Sequence, residues 1–460
     1  MNRSPQELQP ALTCADRNNG GNYRDELPGY QHMIFFVGGF CMKKALVWVL
    51  AVLLMVSLIP MTMFAEGQGE QEERPEVFKF GFLSSMSGTF AGVAETQRKS
   101  FVLAVEQKND AGGLDMPWGN VPIETIVADD EAKLDVGVRR FREMVDQNIQ
   151  ALTGGIWNPM SAALNEECKI NPVIYIPGYV PAMDSYKEGN PSDCTFTPTF
   201  TPWSIGYISG QSAIQSLGKK TIFYIERADS WGTTIRQGLE AACEEYGGEI
   251  VGTAEVSKGT VDYSSIINEA KSLDPDIFIT SMFGGDAIAN LKQAYDQGLY
   301  EETVMFNTWT ANIVAKGIPG RAMEDLYALA WFYWNLEGLG DPEIVEKVKA
   351  YSDAYRERWN EPPDNMGTAA YVAAEITFQA IEKAGTFDPE SVAAVIAEEE
   401  FDTVKGKLRF REDHQPVVKH ASFLLRGKAP NEKEGEWDFF EVIESFGGEE
   451  VLPPLDVMGY

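Results

Sequence analysis

Few side chains in this sequence have the types and spacing that catalysis requires. Two histidines, His414 and His420, follow residue 65, and both positions are more typical of a surface or strand residue than of a general base. The adjacent Asp129 and Asp130 could act as the paired carboxylates of a glycosidase, but their place between a predicted strand and helix favours capping or a solvated loop. HExxH, CxxC and GxSxG motifs are absent from the sequence. We therefore expect no catalytic residue, no metal site and no cofactor.

An early stretch is unusually rich in small and hydroxyl residues. Residues 78–113 read FKFGFLSSMSGTFAGVAETQRKSFVLAVEQKNDAGG, an apolar run that breaks into a Ser-Ser-Met-Ser-Gly-Thr turn before helical spacing resumes. No GxxxxGK[ST] or GxGxxG motif begins here or elsewhere in the sequence, which argues against a phosphate loop. The turn could cap the helix through Ser87 or Thr89, or offer hydroxyls and amides to another polar group.

Length and charge narrow the class of protein. With 460 residues, the chain is expected to form about two domains. Its formal net charge of −31 argues against binding to nucleic acid, whose phosphates require clustered lysine and arginine. The same charge disfavours an anionic membrane surface as a partner.

The N-terminal region has the pattern of a secretory signal. Lys43 and Lys44 precede an apolar run over residues 45–59, which is too short to span a membrane as a helix. We predict a signal peptide over residues 42–65, cut near Ala65. An uncleaved membrane anchor is the alternative, because Met63 is a poor residue three positions before the cut.

The segments on either side of the predicted signal peptide are interpreted as an extension and a linker. Residues 1–41 precede the basic pair and show no clear periodicity, so we interpret them as a non-native extension and hypothesise that Met42 is the true start. Residues 66–75 are polar and are predicted to form a linker.

Three cysteines follow the signal, so at most one disulfide can form within the exported chain. Cys168 and Cys194 are the plausible pair. Cys243 lies in an apolar helical pattern, which is typical of a buried thiol.

From Val77 onward, β-rich runs alternate with amphipathic helical patterns, which predicts βαβ units and a parallel sheet. A second alternating series begins near residue 196 and indicates two similar α/β lobes. The final thirty residues are acidic and only weakly patterned. The predicted strands are FKFGFL, PIETIVAD, IQALTGG, NPVIYIP, KKTIFYIE, EIVGTAEV, PDIFITSM and TVMFNT, with later β-like segments KGKLRFRED and HASFLLRG.

Ligands of open α/β sheets bind beyond the carboxyl ends of the strands. In this sequence large aromatic side chains follow nearly every predicted strand, although loop tips are usually polar. Aromatic rings bury large areas and need a partner. Their recurrence therefore favours a shared cleft, lined by residues that include Phe90, Trp157, Asn158, Tyr179, Trp231, Phe283 and Trp309.

Four stretches resemble a known family, the type I periplasmic solute-binding proteins of ABC importers, in the leucine/isoleucine/valine-binding group. They are residues 81–113, residues 262–299 (DYSSIINEAKSLDPDIFITSMFGGDAIANLKQAYDQGL), the turn IFYIERADSWG, and GKLRFREDHQPV. The resemblance covers about 77–427. It implies two Rossmann-like lobes joined by a three-strand hinge that closes on a ligand. We place the first lobe at 76–202 and 330–418, and the second at 203–329 and 419–460.

The resemblance also implies roles for particular residues. In amino-acid binders of this family, hydroxyls and amides of the first lobe hold the ligand carboxylate, while aromatics and an acid of the second lobe hold the ammonium. Carried over by position, the first-lobe residues are Ser85, Ser87, Phe90, Trp157, Asn158, Ser161 and Tyr179, and the second-lobe residues are Trp231, Phe283 and Trp309.

Two departures from the family pattern affect the expected ligand. Asn158 and Pro159 stand where leucine binders have small hydroxyl residues, and Thr308 or Trp309 stands where they have the glutamate that binds ammonium. Asp229 or Asp286 could replace that carboxylate, although each also fits a helix cap. The ligand is therefore expected to be branched-chain amino-acid-like, an aromatic acid or an amide.

These inferences favour a non-catalytic, periplasmic or otherwise extracytoplasmic protein that delivers a small-molecule solute to an ABC permease in the inner membrane. We expect a monomer that does not bind nucleic acid. A ligand-sensing domain that feeds a receptor or sensor kinase is the alternative, and a hydrolase is a second alternative.

Overall fold

The computed structural model describes residues 74–324 and 326–460. The predicted extension over 1–41, the predicted signal peptide over 42–65 and most of the predicted linker lie outside the described residues. Within the described part of the chain, no helix is both long enough and apolar enough to cross a bilayer.

The described residues form strands and helices in alternation over most of their length. The strands are β1 Phe78–Ser84, β2 Leu114–Met116, β3 Gly119–Val121, β4 Ile123–Asp129, β5 Ala151–Gly154, β6 Ile174–Pro177, β7 Thr221–Arg227, β8 Glu249–Val256, β9 Ile277–Thr280, β10 Val304–Asn307, β11 Tyr327–Ala330, β12 Glu400–Thr403, β13 Gly406–Phe410, β14 Pro416–Val418, β15 Ser422–Gly427 and β16 Phe440–Phe446. The helices are α1 Ala91–Asp110, α2 Leu134–Val145, α3 Asn158–Ile170, α4 Pro202–Gln211, α5 Ser230–Tyr246, α6 Ser264–Leu273, α7 Gly285–Asp296, α8 Asn312–Gly317, α9 Gly320–Met323, α10 Pro342–Trp359, α11 Asn365–Ala384, α12 Pro389–Glu398 and α13 Leu455–Met458.

The first large sheet has the strand order β4-β1-β5-β6, and all its pairs are parallel. Strands β5 and β6 are buried at every position, as expected of strands covered by helices on both faces. Helix α11 packs closely on α1: a Cβ at Gly367 would lie 2.6 Å from the Thr96 carbonyl oxygen. These contacts fix α1 and α11 beside the carboxyl ends of the strands.

The second large sheet has the order β16-β15-β11-β10-β9-β7-β8. Its central strands β7, β9, β10 and β11 pair in parallel, whereas β15 and β16 join as antiparallel strands. Two smaller sheets, β12-β13-β14 and β2-β3, complete the fold. The α/β fold class with two Rossmann-like sheets is therefore confirmed.

The chain passes between the two large sheets three times, after β6, after β11 and after β14. The first passage contacts the turn between β13 and β14, which precedes the third passage. The backbone N–H of Thr197 donates to the carbonyl of His414 at 3.2 Å, and Nδ1 of His414 lies 2.7 Å from the carbonyl oxygen of Thr195. In the second passage, the buried ammonium of Lys405 donates to the Trp331 carbonyl. The Ser422 hydroxyl, where the third passage ends, donates to the Ala330 carbonyl, where the second begins, at 3.2 Å, so these two passages are neighbours in the hinge of this fold.

All eight strands predicted between residues 78 and 308 are present, as β1 and β4 to β10. The weakly patterned C-terminal segment contains β16, which the sequence did not predict, because its solvent-facing positions interrupt the apolar run. Every strand of the first large sheet lies within 78–177, and every strand of the second lies within 221–446. The exact lobe boundaries stay a proposal.

Cys168, Cys194 and Cys243 are buried free thiols in this structure. Burial is the main cause that raises the pKa of Cys168, and the neighbouring Cys194 contributes to the same rise. The two cysteines of the predicted pair are therefore close but not bonded here.

Candidate functional site

The first wall of the candidate site is built by loops that follow strands of the first sheet. Trp157 and Asn158 follow β5 at the start of α3, and Tyr179 follows β6. The Tyr179 hydroxyl donates to Oδ1 of Asn158 at 2.5 Å. Two side chains predicted from separate loops are thus in direct contact.

Gln97 of α1 holds these loops together. Its Oε1 accepts from the Ser84 hydroxyl at 2.8 Å, and its Nε2 donates to the carbonyls of Gly155 at 3.1 Å and Gly178 at 2.6 Å. Gln97 is fully buried. One amide therefore satisfies polar groups at the ends of β1, β5 and β6, where unpaired groups would be costly.

The adjacent carboxylates Asp129 and Asp130 stabilise loops. Oδ1 of Asp129 accepts from the backbone N–H groups of Met86 at 2.9 Å and Glu131 at 2.8 Å. Oδ1 of Asp130 accepts from the N–H of Ala132 at 2.8 Å, and burial raises the pKa of Asp130. Through these backbone contacts, both carboxylates stabilise the loop between β4 and α2.

The three serines predicted to line the first wall differ in accessibility. Ser85 is fully buried and Ser161 is 3% exposed, whereas Ser87 is exposed. The Ser161 hydroxyl lies beside the phenol of Tyr175 and opposes the rise in that tyrosine's pKa, which burial causes. Ser85 and Ser161 are therefore buried to the same degree as Trp231 and Trp309, whereas Ser87 is exposed.

The second wall is built by the loops that follow strands of the second sheet. Trp231 lies in the first turn of α5, and its indole N–H donates to the carbonyl of Ser281, after β9, at 3.1 Å. The rings of Trp231 and Trp309 meet edge to face, with centroids 6.5 Å apart. Phe283 is half-buried in the loop after β9. The predicted aromatics of this sheet therefore converge at one edge.

Trp309 also reaches the hinge. Its ring lies edge to face with Phe200, at 5.9 Å between centroids, and Phe200 belongs to the first passage between the sheets. Asn307 at the end of β10 donates through Nδ2 to the Met282 carbonyl at 3.1 Å. The second wall is thus bonded across strand ends and continues to the base of the cleft.

Arg227 places a cation on the second wall. Its guanidinium lies 5.2 Å from the centroid of the Trp231 ring, and its Nε bonds to the carboxylate of Asp229 at 2.8 Å. Within residues 74–324 and 326–460, its two terminal nitrogen atoms have no hydrogen-bond partner. Asp229 also accepts from the N–H of Gly232 as the N-cap of α5. Two donor groups therefore stay available beside an aromatic ring.

The two walls face each other. The ammonium of Lys258, after β8, lies 4.8 Å from the ring centroid of Phe90, which precedes α1. Burial raises the pKa of Tyr179. From the opposite wall, the charge of Arg227 lowers this pKa and the charge of Asp229 raises it, so both charges lie close to the phenol. The space between the walls, from Phe90 and Lys258 at one end to Trp309, is called the cleft below.

The N-terminus of α11 joins the base of the cleft to the second sheet. The N–H of Asn312 donates to Oδ2 of Asp364 at 3.0 Å, and Nδ2 of Asn365 donates to the Thr310 carbonyl at 3.0 Å. Burial raises the pKa of Asp364 to about 6, against the lowering effect of backbone N–H donors such as that of Met366. A buried carboxylate thus links the first-sheet helix to the loop after β10.

The sequence did not identify Gln97, Arg227, Asp364 or Asn365 as site residues. Gln97 lies on the apolar face of α1, so its polarity there was an available signal. Arg227 is the last residue of β7, so the rule about strand ends that identified the aromatic residues also applied to it. The links made by Asp364 and Asn365 depend on contacts between distant segments, which no local pattern reports.

Comparison with known proteins identifies the family. The family model described as periplasmic binding protein matches residues 77–433. A leucine-, isoleucine-, valine-, threonine- and alanine-binding protein of Pseudomonas aeruginosa is 22% identical over 353 residues, which cover 76% of this chain and 89% of that protein.

Solved structures show the same fold. A branched chain amino acid ABC transporter periplasmic ligand-binding protein from Burkholderia xenovorans aligns with a TM-score of 0.74 at 22% identity, over 83% of this chain and 98% of that one. A solute binding protein from R. palustris in complex with benzoate aligns with a TM-score of 0.68 at 18% identity, over 82% and 99%. A branched-chain amino acid transporter substrate binding protein from Streptococcus pneumoniae, in complex with isoleucine, aligns with a TM-score of 0.67 at 21% identity, over 80% and 99%. The family match and the two facing walls lead to one assignment: this chain belongs to the periplasmic binding protein family.

Proposed function

We propose that this protein is the extracytoplasmic solute-binding component of an ABC importer and that it holds one small organic molecule in the cleft. The observation that carries the proposal is the contact of the two walls across the cleft, at Phe90 and Lys258. Each wall is formed at the carboxyl ends of a mostly parallel sheet, where ligands of open α/β folds bind. Closure of such walls about a hinge would enclose a solute.

The cleft supports a ligand with a carboxylate and an apolar or planar body. The free donors of Arg227 match a carboxylate, which guanidinium groups bind through two parallel bonds. The nearby rings of Trp231 and Trp309 can pack against a flat or branched body. The known complexes with isoleucine and benzoate contain ligands of both kinds.

An ammonium group finds less support in this cleft. Asp229 caps α5 and pairs with Arg227, and Asp286 accepts from the N–H of Gly259 at 3.0 Å. A buried ammonium without its own carboxylate would lose several kcal/mol. We therefore favour an aromatic or aliphatic acid, or a related amide, over an amino acid with a free ammonium.

The remaining features of the proposal follow from the family and the sequence. The protein is exported by the predicted signal peptide, acts as a monomer and passes its solute unchanged to a permease. The residues that contact the solute are Ser85, Ser87, Phe90, Trp157, Asn158, Ser161, Tyr179, Trp231, Phe283 and Trp309.

Calorimetric titration with benzoate, isoleucine and benzamide tests the ligand class. We expect one site per chain and tighter binding of benzoate than of isoleucine. Tighter binding of isoleucine would show that an ammonium is accommodated and would overturn the preference for a simple acid.

A further inference from the structure

A second recess lies outside the cleft, beside the passage that follows β11. It has a volume of about 360 Å³ and is lined by three segments: residues 334–335, residues 356–362 and residues 434–438. That volume lies within the range of small-molecule pockets, roughly 300 to 1,000 Å³. The indole N–H of Trp334 donates to the Trp437 carbonyl at 3.3 Å and holds the first and third segments together. We call this recess the hinge groove; none of its lining residues belongs to the walls of the cleft.

Arg356 is the unpaired cation of the hinge groove. Its guanidinium lies 3.9 Å from the centroid of the Trp334 ring. Within residues 74–324 and 326–460, no carboxylate or carbonyl accepts a hydrogen bond from it. Arg358, two residues later on the same helix, instead pairs with Glu106 at 3.3 Å. A guanidinium that stacks through its face keeps the N–H groups at its edge free for a ligand.

Most acidic groups of the hinge groove are already neutralised by lysines. Four acids line it, and three have a lysine partner, whereas Glu434 is exposed. Charges farther away than a Debye length, about 8 Å at physiological salt, are largely screened, so the negative net charge of the chain does not decide binding here. The three pairs are Glu361 with Lys99 at 2.5 Å, Glu436 with Lys316 at 2.9 Å and Asp438 with Lys428 at 2.8 Å.

Other groups of the groove suit the rest of a small anion. Trp437 is half-buried and lines the recess, and the ammonium of Lys316 lies 4.4 Å from its ring centroid. Asn335 and Asn360 add side-chain amides, which can donate to a carboxylate or accept from a hydroxyl. We propose that the hinge groove binds a small organic carboxylate, with Arg356 paired to the carboxylate and Trp437 packed against the apolar part.

The hinge groove lies between segments that belong to the two large sheets. Residues 434–438 lead into β16 of the second sheet, whereas residues 356–362 lead into α11, which packs against the first sheet. A ligand that contacts both would be sensitive to the relative position of the two sheets.

Site-resolved NMR tests the proposal with benzoate as the probe. The protein is labelled with 5-fluorotryptophan. Each ¹⁹F resonance is assigned by a single Trp→Phe substitution. Benzoate is then titrated into the wild type, Arg356→Gln and the matched control Arg358→Gln. Resonances of Trp334 and Trp437 report on the groove, and those of Trp231 and Trp309 report on the cleft.

We expect the Trp334 and Trp437 resonances to shift saturably in the wild type and in Arg358→Gln, with a dissociation constant on the order of 1 mM or tighter. In Arg356→Gln the affinity read from these two resonances should fall at least tenfold, while the cleft resonances respond as in the wild type. Shifts confined to the cleft resonances in the wild type, or groove shifts of equal affinity in Arg356→Gln, would overturn the proposal. Because the groove and the cleft have separate tryptophan reporters, a negative result for binding at one site does not affect the result for the other.

Discussion

The rings of Trp231 and Trp309 meet edge to face, with centroids 6.5 Å apart, although 77 residues lie between them in the chain. Trp231 lies in the first turn of α5 and Trp309 follows β10, so the parallel sheet brings them to the same edge. Had these aromatic side chains been scattered over separate faces, the cleft would have no aromatic wall. Their contact makes Trp231 the most informative residue to change.

Trp231→Ala should weaken solute binding at least tenfold, which corresponds to about 1.4 kcal/mol. The substitution removes the ring surface and the indole hydrogen bond to Ser281. Titration calorimetry measures the change. Trp231→Phe is the comparison variant, because it keeps an aromatic ring while it removes the N–H donor and part of the indole surface. Unchanged affinity in a folded Trp231→Ala protein would remove this residue from the site.

Arg227→Gln should discriminate between ligand classes. Loss of a charge-assisted hydrogen bond costs about 1.5 to 3 kcal/mol, so benzoate affinity should fall roughly 10- to 100-fold. Benzamide affinity should change little, because an amide does not need the positive charge. Arg236→Gln is a matched control, since Arg236 lies on α5 and pairs with Glu226 at 2.8 Å. Equal losses for benzoate and benzamide would contradict a carboxylate partner for Arg227.

Gln97→Leu should destabilise the protein and loosen the first wall. The substitution leaves the Ser84 hydroxyl and the carbonyls of Gly155 and Gly178 without their buried partner. Each such group costs about 1 to 3 kcal/mol, so the free energy of unfolding should fall by several kcal/mol. Urea denaturation measures it. Gln97→Glu keeps the size of the side chain and one acceptor, so its free energy of unfolding at low pH should lie between those of the wild type and Gln97→Leu. A Gln97→Leu protein as stable as the wild type would disprove the role of Gln97 in holding the three loops together.

Asp364 should make folding stability depend on pH. Burial raises its pKa from an ordinary value of 3.8 to about 6 in the folded protein. A raised carboxyl pKa favours the folded state below the unfolded pKa, and this contribution is lost as pH rises through the folded pKa. Between about pH 3 and pH 7, the wild type should therefore lose about 3 kcal/mol of stability relative to Asp364→Asn. Thermal or urea unfolding across this range measures the difference, and identical pH profiles for the two proteins would refute the shift.

Local patterns predict much of this fold because alternating strands and helices carry their own periodicity and stops. The eight strands from β1 to β10 that the sequence predicted are examples. Strand β16 was missed because an exposed antiparallel strand has interrupted apolar spacing. The aromatic walls were predictable from one rule about strand ends, whereas the bridge from Asp364 to Asn312 joins segments that only the folded chain brings together. Position in sequence also could not show that Ser85 and Ser161 are buried.

The central claim is that the cleft binds a small solute and releases it unchanged. Native mass spectrometry of the exported protein, purified without unfolding, tests this claim directly. We predict one small-molecule adduct per chain, which is depleted in Trp231→Ala and is recovered with its original mass after prolonged incubation. An adduct that the protein converts to another mass, or one retained equally by Trp231→Ala, would contradict it.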